Sequence, residues 1–246
     1  MALIEYQVNN KIKLLCGGSL ISGKYVLTAA HCIAGSVLSQ GTPIGVRLGE
    51  YDTTKELDCN EKDPFLGDLE CAPKNATITI PVESIIPHPL YDPVTKKHDI
   101  GLIRLKDLAQ YSDYVRPICL PSQDYMLKQP LVFNLFVGGW GIGSSTHQSM
   151  VKRDLLLPLV KQKDCQKYFN IPQQNITLSS GQLCAGGEIG KSSCRGDTGG
   201  TLMYRGRNFE ALGVMSFGSL CEREDIPTVY TNVYEYLDWI YSAITP

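Results

Sequence analysis

Along most of the chain, apolar residues fall in short runs separated by turn formers, the pattern of strands rather than helices. Leu14 to Ile21 reads as a strand that turns at Ser22-Gly23-Lys24, with Tyr25-Val26-Leu27-Thr28 as its partner. Val46 to Asp52 is a further strand that runs into an acidic loop, Glu56 to Glu70, and Ile85 to Asp92 is a strand end and turn. Asp99 opens the apolar strand Ile100-Gly101-Leu102-Ile103. Arg116 to about Pro130 reads as a crossover between two halves, 1–115 and 116–246, and Phe136-Val137-Gly138-Gly139-Trp140-Gly141 opens the second. Helical spacing occurs from Lys161 to Asn170 and again near the end. There Asn232 and Glu235 resemble a capping box, and Val233, Leu237, Ile240 and Tyr241 recur at i, i+4, i+7 and i+8. The expectation is an all-β chain with a terminal helix laying one face on it.

Composition adds limits. The 246 residues are 43% hydrophobic with 23 Gly and 14 Pro, which suits many short strands and turns around a sizeable core. No run approaches the roughly 18 apolar residues of a membrane-spanning helix. A net charge of −2 gives no electrostatic footing for nucleic-acid or anionic-membrane binding. Nine cysteines without a CxxC pair argue against zinc and for disulfides formed in an oxidising compartment, so a secreted, extracellular protein is expected. A leader peptide is missing from the sequence, which we read as trimming of a longer chain. The sequons Asn75-Ala76-Thr77 and Asn175-Ile176-Thr177 fit surface glycosylation.

Candidate chemistry centres on Cys194-Arg195-Gly196-Asp197-Thr198-Gly199-Gly200. Its glycines permit a tight turn that aims successive N–H groups at one point beside the hydroxyl of Thr198. Ala29-Ala30-His31-Cys32 and Asp99-Ile100-Gly101 precede it, giving the chain order His, Asp, hydroxyl that nucleophilic acyl transfer uses. The glycines near Trp140 are not a phosphate loop, because neither Lys-Ser/Thr nor a helix pattern follows. The carboxylates of Asp58, Glu61, Asp63, Asp68 and Glu70 lack EF-hand spacing. A solvated loop is therefore favoured over a calcium site joining Glu50 to Glu70, and no cofactor is expected.

These motifs resemble, from end to end, the chymotrypsin/trypsin family of serine endopeptidases, closest in pattern to arthropod clip-domain serine protease homologues. The resemblance implies two antiparallel six-stranded β-barrels, with Met1 to Tyr6 as the first strand. It implies His31 as base, Asp99 as its orienter and Thr198 at the nucleophile position. Gly196 and Thr198 would supply the oxyanion N–H groups, with Asp197 behind them. It further implies the disulfides Cys16–Cys32, Cys165–Cys184 and Cys194–Cys221, which leaves Cys59–Cys71 as a clasp on the acidic loop. Cys119 is the odd cysteine. In relatives its motif tethers the domain to a pro-segment or clip domain, and a buried free thiol is the alternative.

Several positions depart from the family. Thr198 stands where serine is expected; its methyl should either clash or rotate the oxygen away from His31. Ser192 lies at the floor of the specificity pocket, where trypsin-like members carry aspartate, so no Lys or Arg preference is implied. Ser216 and Gly218 keep the pocket wall, whereas Thr228 replaces a glycine and should partly fill the recess. Thr201 replaces a proline, and Met1 lies beyond the terminus that orders the oxyanion hole in relatives. The reading is a secreted homologue, non-proteolytic, that regulates an extracellular protease cascade through protein partners. Slow hydrolysis by Thr198 with an apolar preference is the alternative.

Overall fold

The structure, a computed structural model, describes residues 1–55, 76–127, 134–141, 149–171, 174–188, 198–218 and 225–244. Six short strands build a first closed barrel: β1 (Ala2–Val8), β2 (Lys11–Leu20), β3 (Tyr25–Thr28), β4 (Thr42–Leu48), β5 (Ile78–Pro87) and β6 (Gly101–Leu105). Its order is β1-β2-β3-β6-β5-β4, antiparallel throughout. Two one-turn helices, α1 (Ala30–Ile33) and α2 (Val37–Gln40), lie between β3 and β4.

The second barrel uses β7 (Asn134–Gly139), β8 (Arg153–Val160), β11 (Gln182–Gly186), β12 (Thr201–Arg205), β13 (Phe209–Phe217) and β14 (Pro227–Asn232). It closes as β11-β14-β13-β12-β7-β8. Between β8 and β11 come α3 (Gln162–Phe169) and a two-stranded ribbon of β9 (Asn170–Ile171) and β10 (Gln174–Asn175). The expected fold is therefore present. Closing each sheet removes the exposed edges that isolated strands would present.

Each barrel buries its own apolar lining. Ile4, Tyr6, Leu27, Val46, Leu102 and Ile103 belong to the first core, and Leu135, Val137, Leu157, Leu202 and Tyr230 to the second. Helix α4 (Leu237–Ala243) follows a 3-10 turn at Val233–Tyr236. It covers the first core, not the second: Val233, Tyr236 and Ile240 join that cluster. The sequence expectation is corrected in two details. Tyr241 is exposed and Tyr236 is buried in its place, because the 3-10 turn rotates the face that α4 inherits. Asn232 makes no capping bond; it ends β14 and donates to the Ser180 carbonyl instead.

Candidate active site

His31 sits in the single turn of α1, directly after β3. The disulfide Cys16–Cys32 ties that turn to β2, and the Thr28 hydroxyl donates to the Gly17 carbonyl at 2.8 Å. Asp99 stands just ahead of β6, after a residue in the left-handed region (His98, φ 54°) that turns the chain inward. Its side chain is fully buried, which a carboxylate tolerates only with donors around it. The His31 backbone N–H donates to Oδ1 at 2.8 Å, His31 Nδ1 lies 2.7 Å from Oδ2, and the Ser216 hydroxyl donates to Oδ2 at 2.5 Å. Burial opposes the charge of Asp99, but hydrogen bonds from His31 and Ser216 outweigh it and hold the carboxyl below its ordinary value.

That ionised carboxylate can only accept, so the imidazole carries a proton on Nδ1, and its Nε2 is the ring nitrogen that faces Thr198. Thr198 Oγ1 lies 2.7 Å from Nε2. Of the two expected effects of the methyl, a clash or a rotated oxygen, the second is corrected. Thr198 is held from its backbone, its carbonyl accepting from the Gly17 N–H at 2.8 Å, while the next residue donates to the Met215 carbonyl at 3.0 Å. At that next position only glycine fits: φ is +78°, and a Cβ would stand 2.5 Å from Thr28 Oγ1 and 2.7 Å from the Gly17 carbonyl. A hydroxyl, an imidazole and a carboxylate in line are the arrangement in which a base can withdraw the hydroxyl proton.

Ser216, expected on the pocket wall, has a contact that the sequence did not show. The pairing of β13 with β14 slips between Met215 and Phe217, and at this bulge the Ser216 hydroxyl turns inward to Asp99. Thr228 packs closely against Gly218: a Cβ there would meet its Oγ1 at 2.9 Å and its Cγ2 at 3.2 Å. Phe217 beside them is braced edge-on by Phe169 of α3. Thr201, standing where proline was expected, is buried, and its hydroxyl donates to Ser19 Oγ at 2.7 Å. Thr231, whose hydroxyl donates to the Asp99 carbonyl at 2.7 Å, was not singled out by sequence reasoning. Nothing local marks it, since its neighbour in space is far away in the chain.

Of the expected disulfides, Cys16–Cys32 and Cys165–Cys184 are formed. Cys119 is an exposed free thiol, which removes the buried alternative. Ser192, Gly196, Asp197, Cys59, Cys71, Cys194, Cys221 and the acidic loop lie outside the described residues. Cys16, His31 and Cys32 come within 4.8 Å of one another, but the two sulfurs are joined in the disulfide and offer no thiolate to a metal. Glu50, the start of the possible calcium site, is engaged by Arg47 at 3.1 Å and by the Tyr51 N–H at 2.9 Å.

Comparison with known proteins agrees with this geometry. The Trypsin family matches residues 2–240. The chain belongs to the trypsin family. It is 48% identical to the phenoloxidase-activating enzyme of Bombyx mori, over 100% of this chain and 58% of that protein. It is 42% identical to serine protease 7 of Drosophila melanogaster (100% and 62%) and 39% identical to CLIP domain-containing serine protease B9 of Anopheles gambiae (99% and 59%). The chain thus spans about three fifths of these relatives. Among solved structures, the Drosophila Grass clip serine protease of the Toll pathway superposes with a TM-score of 0.80 at 32% identity, over 97% of this chain and 66% of that one. No described helix of this trypsin-family chain is long and apolar enough to cross a membrane.

Proposed function

We propose that this chain is the trypsin-like part, with halves 1–115 and 116–246, of a secreted regulator in an extracellular, immune-type protease cascade. It binds protein partners and does not cleave peptide bonds at the rates of serine-bearing relatives. The observation that carries this reading is Thr198 itself. Its oxygen is placed for His31, but the same Cβ carries a methyl that travels with the oxygen and crowds the approach of an acyl carbon. Gly196 and Thr198 keep the role of oxyanion donors in this reading, and Ser192, without a charge, removes preference for a basic side chain. Thr228 narrows the recess beside Gly218. Similarity to the Bombyx mori phenoloxidase-activating enzyme and the Anopheles gambiae CLIP domain-containing protease supports the cascade. Exposed Cys119 supports a covalent link to an upstream pro-segment or clip domain, and the disulfides support secretion.

Fluorophosphonate labelling of the full-length protein after activation cleavage tests this. Thr198→Ser is expected to raise the labelling rate by about 10²-fold or more, the scale of a mispositioned reacting group. Equal rates in parent and variant contradict the proposal. One observation favours a second reading, slow hydrolysis with an apolar, non-basic preference: the 2.7 Å contact leaves the threonine oxygen hydrogen-bonded to its base. Peptide cleavage that Thr198→Ala abolishes would establish it.

A further inference from the structure

Two histidines that the site does not use stand directly behind it. His98 occupies the left-handed turn next to Asp99, and the Ile100 N–H closes that turn on the His98 carbonyl at 2.8 Å. His88 lies alongside: its N–H donates to the Ile100 carbonyl at 3.0 Å, and its carbonyl accepts from the Tyr91 N–H at 3.0 Å. The two imidazoles stack with centroids 5.1 Å apart and planes 12° from parallel. Tyr236 presents its edge to both rings, at 5.3 Å and 5.9 Å, and Trp239 of α4 tilts over His88 at 4.9 Å. The Tyr236 hydroxyl and His98 Nδ1 are 3.1 Å apart. A four-ring stack therefore joins the Asp99 turn to the C-terminal helix.

We propose that His88, stacked on His98, forms a proton-sensitive latch which positions Asp99 while the His88 ring is neutral and releases the turn in acid. The hydrogen bonds fix the neutral form of His88: the Leu90 N–H donates to its Nδ1 at 3.2 Å, so the ring proton sits on Nε2. Protonation at Nδ1 breaks that bond and sets a cation against the stacked face of His98.

The surrounding charges do not relieve this. Asp99 turns its carboxylate to His31 and Ser216, and Asp92 turns its own to the Val94 N–H and the Thr95 hydroxyl. From the helix side, Tyr236 is kept protonated, its hydroxyl pushed up to about 12 by burial and by the nearby Glu235 and Asp99. Tyr91 is likewise held protonated by burial and by Asp99 and Asp92. Glu235 and Asp238 are exposed, and the loop lysines Lys96 and Lys97 add positive charge. Burial first, and then His98, hold His88 below its ordinary value. The opened or unfolded chain therefore takes up a proton at higher pH than the closed stack. The latch weakens as pH falls below about 6.5 and loses no more once the closed form itself is protonated.

The latch holds whether or not Thr198 attacks a substrate, so its test does not use activity. The protein has two tryptophans, and Trp140→Phe leaves Trp239 as the reporter on His88. Its emission is expected to titrate with a midpoint below about 6.5. His98→Asn, which tolerates the left-handed backbone and carries no charge, moves that midpoint upward. His88→Phe keeps a flat ring and abolishes the transition. In the same titration, the NMR signal of the His31 Nδ1 proton shared with Asp99 is expected to broaden with the Trp239 midpoint in the parent. It persists to lower pH in His88→Phe and broadens at the raised midpoint in His98→Asn. Trp239 emission that does not change across about pH 5 to 8 overturns the latch. A His31 signal with the same pH response in the parent and both variants overturns its hold on Asp99.

Discussion

At the scale of single residues, Asp99 explains most. A wholly buried carboxylate persists because two donors from His31 and one from Ser216 reach it, each hydrogen bond to a charge contributing about 1.5–3 kcal/mol. Its lowered folded-state value stabilises the fold above the unfolded carboxyl pKa of about 3.9, and that contribution disappears as pH falls through the lowered value. Ser216→Ala removes one donor and raises that value. The acid transition followed by circular dichroism should therefore begin at higher pH than in the parent; an unmoved transition contradicts this. The motif around Asp99 was legible in the sequence, as was its pairing with His31. The duty of Ser216 was not, because a one-residue bulge in β13 decides which way that hydroxyl points.

Elements are held by devices that strand patterns do not reveal. Arg47 on β4 reaches Glu5 on β1 at 2.7 Å and Glu50, just beyond β4, at 3.1 Å, and both carboxylates are buried. Burial works against the guanidinium charge, yet its hydrogen bonds to Glu5 and Glu50 raise its affinity for the proton. Arg47→Met leaves two acids buried without their cation and should cost about 3 kcal/mol in urea unfolding. A loss under about 1 kcal/mol would mean that water replaces the guanidinium. The strand run ending at Asp52 was anticipated from its apolar alternation, but residues after Leu48 leave the sheet. They strap onto the second barrel, where Asp52 bridges Val151 and the Trp140 indole donates to the Tyr51 carbonyl. The terminal helix was legible in the same partial way. Its existence followed from spacing, whereas its inward face was set by the 3-10 turn ahead of it.

On the scale of the whole molecule, the site lies on the seam between barrels. His31 and Asp99 come from the first, and Thr198, Ser216 and Thr231 from the second. The Gly17 N–H grips the Thr198 carbonyl and Thr201 grips Ser19 across the same seam. Thr201→Val should cost about 1–2 kcal/mol in denaturant unfolding by stranding the buried Ser19 hydroxyl, with the barrels intact by far-UV circular dichroism. A neutral result would show that Ser19 finds another donor. Helix α4 reinforces the seam by closing on the first-barrel core after the chain has completed the second.

Sequence by itself determined the all-β class, the family and the order His31, Asp99, Thr198. The class rests on short apolar runs between turn formers, and the family and the order rest on the resemblance of the motifs around His31, Asp99 and Thr198. The tertiary structure alone decided that the Thr198 oxygen faces His31, that Ser216 serves Asp99 and that two histidines stack behind the site. Each of these joins residues distant in the chain or turns on a bulge. Closing two barrels against each other fixes such contacts, and no local preference does.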